Sequence, residues 1–399
     1  TLNKQDILLM AKHLLKFYPV DNGDMTLLSL TDKTTILIDC KIREKEETDA
    51  GNKIYPVKQD LLDSVQKRKN NPYLDLFILT HPDKDHCQGF EKNFYCGDPD
   101  KYNEDNRDNE EIIIDEMWVT SLLLNHAKNP DAKAFKREAE RRRKLWEEES
   151  EYRDKPGNRI RMVGYDGDEK FENVPNVVPG EFISNINGVN KADFEFFVHG
   201  PFKQSLIESN ANGDGNSSSI ILQARFKVNA SDEEYACYYL FGGDADHYRW
   251  EQVLEKSKKH RHEEELKWDI FLTPHHCSWT FFNDTKYEDN KEPKESSLEI
   301  LDYKVGDGKI VAACKVIKNN DDDPPHYPAK EEYLKKVNNS DHFIELAKHP
   351  KEKEPKPYIF EVTPSGPDKE KEKEGSAATA IGGSSTVVNK KSEYGSQSF

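Results

Sequence analysis

The feature that most constrains this chain is a loop. An apolar run at residues 74–80 passes directly into His81-Pro82-Asp83-Lys84-Asp85-His86, which places two imidazoles and two carboxylates within six residues. Ionisable groups crowded at the end of a buried strand are costly unless something compensates them, and a divalent cation compensates all of them at once. Imidazole nitrogen and carboxylate oxygen suit zinc, manganese or iron. A strand-to-loop turn also lets ligands at alternate positions reach one point. The loop therefore reads as the nucleus of a metal site rather than as a solvated turn.

Later stretches repeat the pattern. An apolar run at residues 239–241 leads into Gly242-Gly243-Asp244, and the glycines let backbone approach a ligand closely. The run at residues 268–272 ends in Thr273-Pro274-His275-His276-Cys277-Ser278. Pro325-His326-Tyr327-Pro328 then precedes a helical pattern.

These segments carry a resemblance. Residues 81–86 resemble the signature loop of the metallo-β-lactamase-fold hydrolases, His-x-His-x-Asp-His, with Asp83 standing where the second His usually does. That variant is similar to the hydrolase domain of ComEC-type DNA-uptake proteins and their soluble relatives. Gly23-Asp24 before a hairpin, Asp39 closing it, the polar turn Asn216-Ser217-Ser218-Ser219 before a strand, Gly243-Asp244 and Pro274-His275-His276 fit the same relatives. Cys277 replaces their Gly, and His326 stands in an altered Gly-His-Pro. The resemblance spans residues 22–346, with 91–175 outside it.

The resemblance implies an α/β fold of the αββα kind, two mixed β-sheets face to face with helices outside. It also implies two divalent metal ions, zinc or manganese, around a bound hydroxide. By position, His81 and Asp83 hold one metal, Asp85 and His86 the other, and Asp244 bridges them. His275 completes the second site, with His276 as the competing choice. The first site lacks a ligand that His199 or Asn216 would have to supply, although a lone His such as His199 at a strand end is more often structural. Asp39 orients loops by hydrogen bonds. Asp85 and His326 carry the catalysis, His326 by binding a phosphate oxygen or protonating the leaving oxygen.

Charge bears on partners. A net charge of −17 argues against a protein that coats duplex nucleic acid, but a metal site supplies its own positive field, so a phosphodiester substrate remains compatible. No stretch reaches the roughly 20 apolar residues of a membrane span. The six cysteines lack CxxC spacing, as expected of reduced, mostly buried thiols in a cytoplasmic protein, and the start of the chain lacks the features of a signal peptide.

Residues 1–364 read as a single domain with a charged, partly helical insertion at 91–175, and residues 365–399 as a low-complexity, disordered tail. The periodicity predicts a helix at 5–17, strands at 25–30 and 34–38 joined by a hairpin, and a helix at 55–67. Further strands are expected at 74–80, 112–119, 194–198, 220–226, 235–243, 268–272, 309–316 and 357–362. The helix opened by Asn129-Pro130 carries Arg137, Arg141, Arg142 and Arg143 among glutamates, which reads as a solvated face rather than a polyanion stripe.

The function expected is metal-dependent phosphodiester hydrolysis, on single-stranded nucleic acid or a nucleotide-derived small molecule, because a carboxylate-rich site is harder than a pure zinc β-lactamase centre. Two rival classes stand beside it. One is a hydrolase of lactones, thioesters or β-lactams. The other is a non-catalytic metal-binding module in an assembly, with the charged insertion or the tail contacting a protein partner.

Overall fold

The computed structural model describes residues 12–319 and 324–370. Alternation of side chains sets the architecture. Ile36, Ile38, Leu76 and Ile78 face one cluster of buried residues, while Leu37, Phe77 and Leu79 between and beside them face another. Tyr239, Phe241, Ile270 and Leu272 join the first cluster, while Leu240 and Phe271 face a third. A sheet whose two faces are both buried reads as a continuous apolar run, which is why these strands lack polar alternation.

The first cluster lies between two sheets. Phe17 meets Tyr239 edge-on at 5.3 Å and Trp118 meets Phe196 at 5.5 Å, each pair joining one sheet to the other. In the 10-stranded sheet, Tyr358–Thr363, Leu14–Phe17, Thr26–Ser29 and Thr35–Ile38 are antiparallel neighbours; Thr35–Ile38, Asn71–Ile78, Ile113–Val119 and Arg159–Val163 run parallel. In the 7-stranded sheet, Phe194–Gly200, Ile221–Phe226 and Cys237–Phe241 are antiparallel, and Cys237–Phe241, Trp268–Leu272, Lys304–Ala312 and Phe343–Glu345 parallel. The outer clusters bury helices. Phe135 of Pro130–Glu147 packs on Phe77, and Trp250 of His247–His260 packs on Phe271. The chain is thus an α/β protein of two mixed sheets with helices on their outer faces. Among the described residues no helix is long and apolar enough to cross a membrane.

Three expectations change. Residues 14–17, expected to end a helix, form a strand, because Leu15 and Phe17 alternate inward between two neighbouring strands; residues 5–11 of that expectation lie outside the described residues. Parts of the 91–175 stretch belong to the layers. Arg159–Val163 pairs with Ile113–Val119, and buried Arg142 clamps its helix to the sheet through the Ile114 and Arg159 carbonyls at 2.7 and 2.9 Å and Glu138 at 2.7 Å. Arg142 therefore does not belong to a solvated face. Gly366–Lys369, placed in the tail, pairs with Tyr358–Thr363; residues 371–399 lie outside the described residues. The described cysteines are all free thiols.

One buried acid links strand register to pH. Asp269 accepts the Tyr238 N–H at 2.9 Å, and burial raises its carboxyl to about 6 against the opposing pull of that hydrogen bond. Its folded pKa exceeds the ordinary value of about 3.9, so the fold favours the protonated form, and stability falls as pH rises from about 4 to 6. Asp269→Asn keeps an acceptor for Tyr238 without a charge to bury. Thermal unfolding should show it nearly neutral at pH 4 and stabilising by up to about 2 kcal/mol at pH 8; destabilisation at pH 8 would refute the burial cost.

Candidate metal centre

The parallel strands of both sheets bring their C-terminal ends together. Asp39 follows Thr35–Ile38, Thr80 and His81 follow Asn71–Ile78, Asp244 follows Cys237–Phe241, and the His pair follows Trp268–Leu272. Cross-links fix the junction. The Ile220 N–H donates to the Thr80 carbonyl at 3.0 Å, and the His275 N–H donates to the Gly243 carbonyl at 3.1 Å. Gly243 adopts φ +49, and a Cβ there would stand 2.7 Å from Thr80 Oγ1. Only glycine permits that approach.

Asp244 is 3% exposed and lies at the centre of four imidazoles. Its Oδ1 is 3.0 Å from His86 Nε2 and 3.6 Å from His276 Nε2; its Oδ2 is 3.5 Å from His81 Nε2 and 3.6 Å from His275 Nε2. Each ring is anchored at the other nitrogen. His86 Nδ1 meets Asp39 Oδ2 at 2.7 Å, His276 Nδ1 the Ala313 carbonyl at 3.1 Å, His81 Nδ1 Thr80 Oγ1 at 3.1 Å, and His275 Nδ1 Thr280 Oγ1 at 3.3 Å. Anchoring at Nδ1 fixes ring orientation and tautomer and turns every Nε2 inward, as metal-ligating histidines require. Asp39 is itself held by the Thr80 N–H and hydroxyl, at 2.7 and 2.6 Å.

Asp85 Oδ2 accepts from His276 Nε2 at 3.1 Å, and Asp83 Oδ2 is 4.0 Å from His81 Nε2. One ligand atom each from Asp85, His86, Asp244 and His276 all lie within 4.8 Å of one another. His81, Asp83 and His275 gather more loosely on the Oδ2 side. Gly215 closes that side, since a Cβ there would stand 3.0 Å from Asp83 Oδ1.

The donor set fits divalent cations. His81 Nε2, His86 Nε2 and Asp244 Oδ1 are buried without a hydrogen bond, although charge complementarity brings them close. Buried polar atoms are normally paired, and orphans converging on a single point are what an ion explains. Burial alone would lower the His276 imidazole, yet Asp244, Asp24 and Asp85 raise it to about 10. Burial would likewise raise Asp244, yet His86, His276 and His81 hold it well below the usual carboxylate range. Asp85 is lowered in the same way, burial being outweighed by its hydrogen bond to His276 and the charges of His86 and His276.

His275 and His276, expected as competitors, both reach Asp244, on opposite oxygens. Adjacent residues in an extended strand point to opposite sides. Here His275, His276 and Cys277 adopt φ of +48, +54 and +65 in succession, which bends both rings onto the carboxylate. Among the second-site groups, His276 takes the place expected of His275, which faces His81 instead. His199 is directed elsewhere, with Nε2 2.8 Å from the Glu265 carbonyl. Asn216 lies in the turn that brings Gly215 to Asp83, its N–H accepted by Asp214. His326 is tied to the His-pair loop, donating its N–H to the Cys277 carbonyl and accepting the Trp279 N–H at Nδ1, both at 3.0 Å.

Two charged groups escaped the sequence reading as parts of the site. Asp24, there only a match to the relatives, lies 3.5 Å from His276 Nδ1. Lys41 packs its stem against Gly23 and donates to the Asn22 carbonyl; burial lowers its ammonium while Asp85 opposes the shift. A lysine after a hairpin strand carries no local signal of either contact. No family model and no curated protein matches the chain.

Metal analysis of manganese- or zinc-loaded protein tests the split. His276→Ala and His275→Ala should each lower bound metal by about one ion per chain, and Asp244→Asn should lower both; full content in His275→Ala would make that ring a bystander. Asp39→Ala, which frees His86 Nδ1, should weaken metal affinity about 10–100-fold in a competitive chelator titration. An unchanged affinity would remove Asp39 from the site.

Proposed function

We propose that the chain is a metal-dependent hydrolase of metallo-β-lactamase fold, related to the ComEC-type domains, that cleaves phosphodiesters in single-stranded nucleic acid or in a nucleotide-derived small molecule. One observation carries the reading: a single buried carboxylate offers each oxygen to a separate pair of inward-facing imidazoles, with Asp85 beside one pair and Asp83 beside the other. Two donor groups sharing one carboxylate support the reading of a two-cation centre.

A pair of divalent cations held there supplies Lewis acidity for a phosphoryl oxygen and activates water at neutral pH. The protein's part is to hold the donors in place beforehand. Three carboxylates, Asp83, Asp85 and Asp244, make the donor set hard and favour phosphoester over lactam chemistry. Asp85 is partly exposed, 35% of its side chain, so solvent reaches it beside the centre. His326 receives the Trp279 N–H at Nδ1, which places the proton of its neutral ring on Nε2. A ring so oriented can bind a non-bridging phosphate oxygen or protonate the leaving oxygen.

Hydrolysis of bis(p-nitrophenyl) phosphate tests the reading. Chelation should abolish turnover, manganese or zinc should restore it, and Asp244→Asn should reduce it to background. His326→Ala should lower kcat by about 10²–10⁴-fold with metal content unchanged. Turnover of a lactone or lactam with none of the diester would contradict the assignment.

A further inference from the structure

A second concavity lies away from the His/Asp centre and shares no lining residue with it. It occupies about 480 Å³ between the end of Phe194–Gly200, the start of Lys203–Asn212 and the helix His247–His260. That volume falls within the range of about 300–1,000 Å³ common for small-molecule sites.

Its lining has three parts. Phe202 and Tyr165 give half-buried aromatic walls, while Phe197 is buried and already packed against the rings of Phe182, His199 and His262. Lys203 and Lys256 stand at the rim, and neither side chain makes an ion pair or hydrogen bond among the described residues. In a chain of net charge −17, two ammonium groups without an ion-pair partner over an apolar cavity give that place a local positive charge for an anion. The lining's single carboxylate, Glu181, is engaged with the Val178 N–H at 2.8 Å.

His199 supplies the third part. It is 3% exposed, and burial lowers its imidazole to about 4, against its hydrogen bond to the Glu265 carbonyl. The ring is therefore neutral and carries its proton on Nε2, which donates to that carbonyl at 2.8 Å. Its Nδ1 lone pair has no hydrogen-bond partner among the described residues, and the ring lines the cavity. That acceptor opens on the cavity, where an N–H or O–H of a ligand can meet it.

We propose that this cavity binds a nucleoside monophosphate, with the base stacked between the aromatic walls, an N–H of the base on His199 Nδ1 and the phosphate on Lys203 and Lys256. Stacking on aromatic side chains and phosphate contact with lysine are general modes of nucleotide recognition. The site needs no metal, so it stands apart from the hydrolase reading.

The test is calorimetric titration of the full chain with AMP in the presence of chelator, with decanoate as an anion of apolar body that lacks the donor. AMP should bind saturably, at least tenfold more tightly than decanoate. Lys203→Ala/Lys256→Ala should weaken AMP at least tenfold, and His199→Phe should weaken AMP but not decanoate. Both lysines are exposed, so that double variant should fold, and circular dichroism checks it. No saturable AMP binding to 1 mM, decanoate binding as tightly as AMP, or AMP binding lost in Asp244→Asn but kept in the lysine variant overturns the proposal. Because chelator is present throughout, failure of the first two kinds leaves the hydrolase reading untouched, and the Asp244→Asn outcome would move AMP to the His/Asp centre.

Discussion

The structure depends on how one buried carboxylate is compensated. Asp244, at the end of Cys237–Phe241, lies 3.0–3.6 Å from four imidazole Nε2 atoms. An isolated carboxylate in such a place would cost several kcal/mol, and removing its partners would leave an unpaired buried charge. The two sheets must therefore meet in the register that brings Asn71–Ile78 and Trp268–Leu272 to the same end. The sandwich core sets that register, and the imidazoles exploit it.

Strain concentrates at the same place. Asp39, His275, His276 and Cys277 all have positive φ without being glycine. Such backbone costs on the order of 1–3 kcal/mol per residue and persists only where its surroundings over-determine it. The hydrogen bonds of Asp39 to Thr80 and of His276 to the Ala313 carbonyl are part of that determination. Stability is given up locally to hold the donors in a ligating geometry.

Much of this was legible in the sequence. Apolar runs ending in His81, Asp244 and the His pair mark strand ends converging on one site, and short apolar runs mark most strands of both sheets. What was not legible has physical causes. Residues 14–17 read as helix because their pairing partners lie at 26–29 and 358–361, and long-range pairing overrides local periodicity. The roles of His275 and His276 turn on three successive left-handed residues, a conformation that His-His-Cys does not favour. Arg142 looks like one of several surface arginines until the carbonyls of Ile114 and Arg159 are seen to surround it. Lys203 and Lys256 are far apart in sequence, and only the fold brings them to one rim.

The most direct measurement is anomalous scattering from crystals of the full chain soaked with manganese, recorded on both sides of the absorption edge. Two peaks should appear flanking Asp244, one among Asp85, His86 and His276 and the other among His81, Asp83 and His275. An ordered Asp244 with no anomalous peak within coordination distance at saturating manganese would contradict the account.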